Sequence, residues 1–343
     1  MLRPPVTVPI AFVRGMLSGA RTRGTACDLL LAEAGIAPAL LDEAGARVTA
    51  EQYVALFRLL TDRLDDEGLG LLSRPLKRGS FALVARAGLG AADLGTALRR
   101  TAHTFRLLQD DVVLAPVREG AGEGDGEAAL AGVALHFTGS PAARQDFLHE
   151  LLLRIFWRLL AWQAGGQLPA VRFDFAFARP PYADSYGKVF PAALQFEQGH
   201  SAFWFAAPWL AAPMRRDEQA LRAYLADAQS HIIVPRRSDD VVSAAVRGFL
   251  QRTQPAWPDL PATAEAMHMA TSTLQRRLAC EGTSFQALKD ELRRDTAIVR
   301  LNTSTVPLAV LADALGFADS AAFQRAFKAW TGSAPGAYRR GGG

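Results

Sequence analysis

A pattern that occurs twice near the end of the chain constrains its fold most strongly. Each copy predicts a short helix, a tight turn and a second helix with large apolar residues four positions apart and an arginine midway between them. The first copy runs from Ala262 to Glu281, and its second helix starts near Thr271. The second copy runs from Leu308 to Trp330, and its second helix starts near Ser320. The sequence therefore predicts two similar helical units in tandem.

Helical phase predicts which side chains of the two second helices face outward. Leu274 and Leu278 must be buried in the first copy, as must Phe323 and Phe327 in the second. The outward or flanking positions are Ser272, Thr273, Gln275, Arg276 and Arg277 in the first copy, and Ala321, Gln324, Arg325 and Lys328 in the second. The arginine midway between each buried pair is the best candidate base reader, because arginine can form two parallel hydrogen bonds to guanine in the major groove.

The segment between the two units predicts a connecting helix. Gly282 ends the preceding helix, Thr283 and Gln286 predict a capping box, and the helix runs from Phe285 to Leu301. Such a helix spans roughly 25 Å. That length suits two recognition helices that lie about one DNA turn apart, in adjacent major grooves.

Charge is concentrated in the same part of the chain. From Val241 to Gly343 there are twelve Lys and Arg against eight Asp and Glu, an excess of 4 that equals the excess of the whole chain, 38 minus 34. A surplus confined to one domain favours a polyanionic partner for that domain. We therefore expect double-stranded promoter DNA as its partner.

The chain is long enough for two domains, with a linker predicted at 231–240, where Pro235, Arg236 and Arg237 interrupt the apolar periodicity. The fold class expected is an α+β sensor domain over 1–230, followed at 241–343 by an all-α domain with two helix-turn-helix units joined by a linker helix. Predicted elements of the first domain are helices at Asp28–Ala34, Ala50–Leu64 (with a Thr49 and Gln52 capping box) and Phe147–Trp162, and strands at Val112–Val117, Leu130–Phe137, Val171–Ala178 and Ala202–Ala206. The Gly-rich stretch Glu119–Gly126 is expected to be a hairpin connection.

Aromatic residues crowd the stretch from Phe173 to Trp209. We expect most of them to form sheet core, although a pocket for a small, partly apolar molecule could lie under them. No cluster of polar residues identifies such a molecule.

Several C-terminal motifs resemble the AraC/XylS family of transcription regulators. The matching stretches are Thr273-Leu-Gln-Arg-Arg-Leu, Glu281-Gly-Thr-Ser-Phe, Leu315-Gly-Phe, Ala322-Phe-Gln-Arg-Ala-Phe, Trp330-Thr-Gly and Pro335-Gly-Ala-Tyr-Arg. The N-terminal part resembles the arabinose-binding type of sensor domain, at Leu30-Leu31 to Ile36, Arg47-Val48, Gly70-Leu71 and Arg179-Pro-Pro-Tyr to Phe190. The resemblance implies a regulator, expected to be an activator or a repressor, with a small-molecule effector, a homodimer and RNA polymerase as further partners.

Two residues depart from that family's usual pattern in the first unit. His268 stands in the turn where glycine is usual, and Ala270 stands at the helix start where serine is usual. A left-handed histidine costs roughly 1 kcal/mol, and loss of the capping serine costs about as much unless Thr271 replaces it. We therefore expect the first unit to be looser than the second.

Other classes of function have less support in the sequence. There is no nucleophile elbow, phosphate loop or metal-ligand spacing, so we expect no cofactor and no metal, and an enzyme with a spatially assembled site stays an alternative. A protein-interaction adaptor is a second alternative. Charged residues interrupt every long apolar run, and Cys27 and Cys280 fit no disulfide or metal spacing. We therefore expect no membrane partner and a cytoplasmic location.

Overall fold

The computed structural model describes residues 6–120, 129–138, 146–226 and 242–339. The chain divides into two compact units, one comprising Met1–Ala11, Leu31–Tyr53 and Arg237–Gly343 and the other Phe12–Leu30 and Val54–Arg236. The predicted class, mixed α and β before an all-helical C-terminal region, is confirmed. The predicted linker lies outside the described residues. No helix of the described part is long and apolar enough to cross a bilayer.

The unit formed by Phe12–Leu30 and Val54–Arg236 contains a five-stranded sheet. Its strands are β3 (Val112–Glu119), β4 (Leu130–Phe137), β5 (Arg172–Asp174), β6 (Ala193–Gln195) and β7 (Ser201–Ala206), in the order β3-β4-β7-β5-β6. β3 and β4 pair antiparallel along their full length, and only the β5 and β6 pair is parallel within the described sheet. The three longer strands agree with the predicted ones. Most of the Gly-rich connection between β3 and β4 lies outside the described residues.

The strand predicted at Val171–Ala178 is shorter than expected. Only Arg172–Asp174 belongs to the ladder, and Val171 is 46% exposed. Asp174 is buried, and its carboxylate accepts hydrogen bonds from Trp204 Nε1 at 2.6 Å and from Arg172 Nε at 2.8 Å. Because both faces of this strand are covered, its buried and exposed residues do not alternate as they do in a strand with one face in solvent.

Helices cover this sheet unit. They are α1 (Ile10–Thr22), α2 (Cys27–Glu33), α3 (Ala50–Leu64), α4 (Ser80–Ala87), α5 (Leu94–Leu108), α6 (Asp146–Gln163) and α7 (Glu218–Ala226), of which α1 and α3 begin in the other unit. The buried helix predicted at Phe147–Trp162 is confirmed as α6. Its polar residues Glu150 and Arg154 are also buried. Glu150 accepts hydrogen bonds from the hydroxyls of Tyr182 and Tyr186, and burial raises the pKa of Glu150 to about 7.

The other unit is built around six C-terminal helices. They are α8 (Val242–Arg252), α9 (Leu260–Ala266), α10 (Thr271–Cys280), α11 (Phe285–Thr303), α12 (Leu308–Ala314) and α13 (Ser320–Thr331). Two short N-terminal strands, β1 (Thr7–Pro9) and β2 (Arg47–Thr49), pair antiparallel in the same unit.

A buried polar cluster joins these strands to α11. Thr7 Oγ1 donates to Asp295 Oδ1 at 2.6 Å, and Arg47 Nε donates to Thr7 Oγ1 at 2.7 Å. The backbone N–H of Arg47 donates to the Tyr338 hydroxyl at 3.2 Å. Burial, with Arg294 close by, lowers the pKa of Arg47 to about 10. The N-terminal strands are therefore part of the C-terminal helical core, which the sequence did not predict.

One of the two predicted capping boxes is present. The N–H of Thr49 donates to Gln52 Oε1 at 2.9 Å, and the N–H of Gln52 donates to Thr49 Oγ1 at 3.1 Å. The box predicted at Thr283 and Gln286 is wrong, because Ser284 caps α11 by accepting from the N–H of Ala287 at 3.2 Å. The N–H of Thr283 instead closes the turn that ends α10, by donating to Leu278 O at 3.0 Å.

Candidate nucleic-acid interface

The first helix-turn-helix unit consists of α9, a short turn and α10. Asp259 caps α9 by accepting from the N–H of Ala262 at 2.9 Å. Leu274 and Leu278 of α10 are fully buried, as helical phase predicted. The opposite side of α10 is therefore left facing outward.

The second unit consists of α12, a turn of the same form and α13. Phe323 and Phe327 of α13 are fully buried, as predicted, and their ring centroids lie 5.6 Å apart. Phe317, in the turn, packs against Phe323 at 5.7 Å and against Trp330 at 5.9 Å. The second unit thus has an aromatic core where the first has leucines.

The turns of the two units make the same backbone hydrogen bond. The N–H of Met269 donates to Ala264 O at 2.9 Å, and the N–H of Phe317 donates to Ala312 O at 3.0 Å. In each turn the residue before the donor adopts a left-handed conformation, with φ of 53° at His268 and 71° at Gly316. This arrangement ends the first helix of each unit and redirects the chain into the second.

The predicted DNA-contacting residues all lie on α10 or α13. The exposed ones are Ser272, Gln275, Arg276, Arg277, Ala321, Gln324, Arg325 and Lys328, and Thr273 is partly buried. Arg276 and Arg325 occupy equivalent places, each two positions from both members of its buried pair. The structure therefore brings these residues to the surface in two similar arrays, while their contacts with DNA stay a prediction.

The basic residues of these arrays are unpaired within the described structure. Arg276, Arg277, Arg325 and Lys328 form no ion pair or side-chain hydrogen bond with any described residue. Basic residues of the interior behave differently: the unit's ion pairs include Arg247 with Glu291 at 2.8 Å, and Arg294 with Asp295 at 3.1 Å. The charges on α10 and α13 are therefore available to an external anion.

A second group of residues, not predicted from the sequence, joins the second unit to the connecting helix α11. The guanidinium of Arg293 lies over the rings of Trp257 and Phe317, at 5.1 and 5.0 Å from their centroids. Trp257 is buried and its Nε1 donates to Ala314 O at 2.9 Å, while Lys289 Nζ donates to Trp257 O at 2.9 Å. Burial lowers the pKa of both Arg293 and Lys289. These contacts join three separate stretches of sequence, so no local pattern marked them.

The structure has a cavity away from the aromatic stretch that suggested a pocket. Among the aromatics from Phe173 to Trp209, Phe173, Phe175, Phe190, Phe203 and Phe205 are buried in the core. A cavity of about 600 Å³ lies instead between helices α3, α4, α5, α6 and α7 of the same unit. None of its lining residues comes from the aromatic stretch.

The fold and the exposed arrays define a helix-turn-helix DNA-binding protein. Residues 24–214 match the model of the arabinose-binding domain found at the N-terminus of AraC transcription regulators, and residues 263–341 match a helix-turn-helix domain model. The chain belongs to this AraC family of transcription regulators, which confirms the resemblance seen in its motifs.

Similar proteins agree with this assignment. The ornithine utilization regulator of Pseudomonas aeruginosa is 28% identical over 97% of this chain and 96% of its own. An uncharacterized HTH-type transcriptional regulator of Mycobacterium tuberculosis is 28% identical over 99% of both chains. The crystal structure of the transcriptional regulator CdpR from Pseudomonas aeruginosa aligns over 95% of this chain and 97% of its own, at 20% identity and a TM-score of 0.34.

Proposed function

We propose that this transcription regulator binds promoter DNA through two adjacent major grooves, with α10 in one and α13 in the next, and that a small-molecule effector controls it. The observation that carries the proposal is the pair of matching exposed arrays, in which Arg276 and Arg325 are unpaired and lie opposite buried pairs. A solvated helix face would not need to repeat the same arginine at the same place in two units.

The two kinds of basic residue have different roles in this proposal. Arg276 and Arg325 read bases, because each stands at the centre of its outward face and can bond a guanine edge in two places. Arg277, on the flank, and Lys328, nearer the helix end, bind phosphates and so position the helix without selecting sequence. The neighbouring positions Ser272, Thr273, Gln275, Ala321 and Gln324 complete the two surfaces.

The remaining parts of the proposal concern partners and location. The protein acts in the cytoplasm without catalysing a reaction, as a homodimer that contacts RNA polymerase at the promoter. Dimerisation would place two DNA-binding regions on neighbouring sites and raise their effective concentration. The family match to an arabinose-binding domain supports a small-molecule effector.

Selection of DNA sites by the full-length protein tests the DNA-binding part. Binding to a library of randomised duplexes should enrich sites with two clusters of preferred base pairs, centred about 10 base pairs apart. Binding should also weaken steeply with salt, because phosphate contacts release counterions. Arg300→Ala, which changes an exposed arginine of the connecting helix, is the control and should leave the selected sequence unchanged.

Two results would contradict the proposal. Enrichment of a single cluster would show that only one unit reads DNA. Salt-dependent binding without any preferred sequence would show that the arrays contact phosphates alone, and the proposed base readers would then be wrong.

A further inference from the structure

The cavity between helices α3 to α7 is a mainly apolar cleft that is partly open to solvent. It measures about 600 Å³ and is lined by Phe57, Phe81, Phe105 and Phe156 together with several leucines. Sites for small molecules are mainly apolar clefts of about 300 to 1,000 Å³ with a few polar groups. The size and lining of this cavity fit a ligand site.

One polar group in the cavity wall has unused hydrogen-bonding capacity. Thr61 lines the cavity and is 6% exposed, and its buried hydroxyl has no hydrogen-bond partner among the described residues. A buried hydroxyl without a partner is destabilising by about 1 to 3 kcal/mol. A ligand that bonded to this hydroxyl would remove that penalty, and its polar atom would then be anchored at Thr61.

The partly buried carboxylate of the cavity wall already accepts hydrogen bonds from the chain. Glu67 accepts a hydrogen bond from the N–H of Gly79 and another from the N–H of Phe81, both at 2.7 Å. It therefore holds the start of α4. Burial raises the pKa of Glu67, so this wall does not favour an additional negative charge. Arg58, the basic residue of the lining, is exposed to solvent.

We propose that this cavity binds the effector, and that the effector is an uncharged, mainly hydrocarbon or aromatic molecule with one hydroxyl or carbonyl oxygen bonded to Thr61. This inference rests on the proposed effector control. A charged head group would have to leave water for an apolar wall whose partly buried carboxylate is already hydrogen-bonded, which is strongly unfavourable. An uncharged oxygen group would gain a hydrogen bond to the unpartnered Thr61 hydroxyl, and the apolar wall would remove the ligand's apolar body from water.

Calorimetric titration of the full-length protein with 1-decanol tests the ligand class. Decanoate and decylamine have the same chain with a negative or a positive head group, so they isolate the effect of charge. Decanol should bind at least about tenfold more tightly than either. Tighter binding of decanoate or decylamine would overturn the uncharged class, and absence of binding by all three would overturn the cavity as a site for chain-like apolar molecules.

A matched pair of threonine variants tests the anchor. Thr61→Val should weaken decanol binding about threefold to tenfold, because it removes one hydrogen bond. Thr101→Val is the control: Thr101 is 1% exposed and its hydroxyl also lacks a partner among the described residues, but it does not line the cavity. Equal effects of the two substitutions, or none from Thr61→Val, would overturn the assignment of Thr61.

A matched pair of leucine variants tests the place of binding. Leu108 lines the cavity and its neighbour Leu107 is 67% exposed. Leu108→Trp should abolish decanol binding by filling the cavity, and Leu107→Trp should leave binding intact. Unchanged binding by a folded Leu108→Trp variant would overturn the site. If that variant does not fold, the threonine pair decides.

The same proteins separate this inference from the proposed function. Decanol should change the affinity of full-length protein for its selected DNA by at least about threefold, and Leu108→Trp should remove that change. Intact sequence-specific DNA binding without any response to decanol would overturn the effector role of the cavity and leave DNA recognition standing. Loss of specific DNA binding by the unliganded wild-type protein would overturn the proposed function instead.

Discussion

The two helix-turn-helix units follow the same backbone path but are stabilised by different chemistry. In both, a left-handed turn residue is followed by the donor of an equivalent backbone hydrogen bond. Asp319 caps α13 by accepting from the N–H of Ala322 at 2.6 Å, whereas Ala270 at the start of α10 provides no side-chain cap. Tertiary packing can therefore maintain the same backbone path with or without a side-chain cap at the second helix. The unit without the cap should be locally less stable.

The turn residues differ for a reason that lies outside the turn. A Cβ atom at Gly316 would lie 3.0 Å from Arg293 Nη2 and 3.0 Å from Trp257 Cδ1, so this turn is covered by the aromatic and cationic cluster. His268 is exposed, so its side chain is accommodated in solvent. In the first turn, a left-handed histidine therefore causes only backbone strain. In the second turn, a histidine would cause the same strain and would also collide with the covering side chains.

The largest expected effect comes from giving the second turn the residue of the first. Gly316→His should destabilise the second unit by about 2 to 4 kcal/mol, since backbone strain of about 1 to 2 kcal/mol is added to overpacking against Trp257. Hydrogen exchange of peptides from Leu308–Thr331 in the full-length protein measures this. Unchanged protection of α13 would mean that the cluster rearranges freely, and the difference between the two turns would then not be structural.

Replacing the candidate base readers compares the two units in function. Arg276→Ala and Arg325→Ala should each weaken binding by about 1 to 3 kcal/mol and relax preference at a base position in that unit's own half-site. Arg325→Ala should have the larger effect because α13 is capped and α10 is not. Binding to a panel of single-base variants of the selected site measures both.

The pattern of loss across that panel distinguishes a base reader from a phosphate contact. If Arg325→Ala weakens binding uniformly across the panel, or has no effect, Arg325 is not a base reader. If Arg276→Ala has the larger effect, the missing cap does not weaken recognition by the first unit.

The caps provide a test of the comparison that does not depend on DNA. Asp319→Ala should destabilise α13 by about 1 kcal/mol, and Ala270→Ser should stabilise α10 by about 0.5 to 1 kcal/mol. Hydrogen exchange at the N-terminal amides of each helix is the measurement. Stabilisation of α10 to the level of α13 by Ala270→Ser would show that the cap alone separates the two units, and no change would show that Thr271 already supplies it.

The sequence predicted what depends on neighbours along the chain. The helical period predicted that Leu274 and Phe323 are buried and that Arg276 and Arg325 are exposed. These predictions depend only on residue spacing within one or two helical turns. It also predicted the left-handed turn at His268, because glycine is the family's usual residue at this position.

The sequence did not predict groupings of residues that are distant along the chain. Arg293 packs between Trp257 and Phe317, and Arg47 contacts Thr7 and is linked through it to α11, so no window of the sequence contains either cluster. The cavity was missed for the same reason, because five helices contribute to its wall. The aromatic residues from Phe173 to Trp209 are visible as a local sequence pattern, but they form the core and do not line the cavity.

Replacing the flanking basic residues should have smaller effects of a different kind. Arg277→Ala and Lys328→Ala should weaken binding to all sequences alike and flatten the dependence of log affinity on log salt by about one unit each. Titration of the selected and a scrambled duplex at several salt concentrations measures both slopes. If either substitution changed the sequence preference and left the salt slope unchanged, the replaced residue would be a base reader. The outward faces of α10 and α13 would then not be equivalent.

The smallest expected effect comes from giving the first turn the residue of the second. His268→Gly relieves left-handed strain of about 1 kcal/mol, but glycine gives back about 0.5 to 1 kcal/mol through the greater freedom of the unfolded chain. We therefore expect α9 and α10 to be stabilised by about 0.5 kcal/mol or less, measured by hydrogen exchange of peptides from Leu260–Cys280. Because His268 is exposed, no packing should be lost. Destabilisation by 1 kcal/mol or more would show that the histidine side chain supports the turn, and the weakness of the first unit would then rest on Ala270 alone.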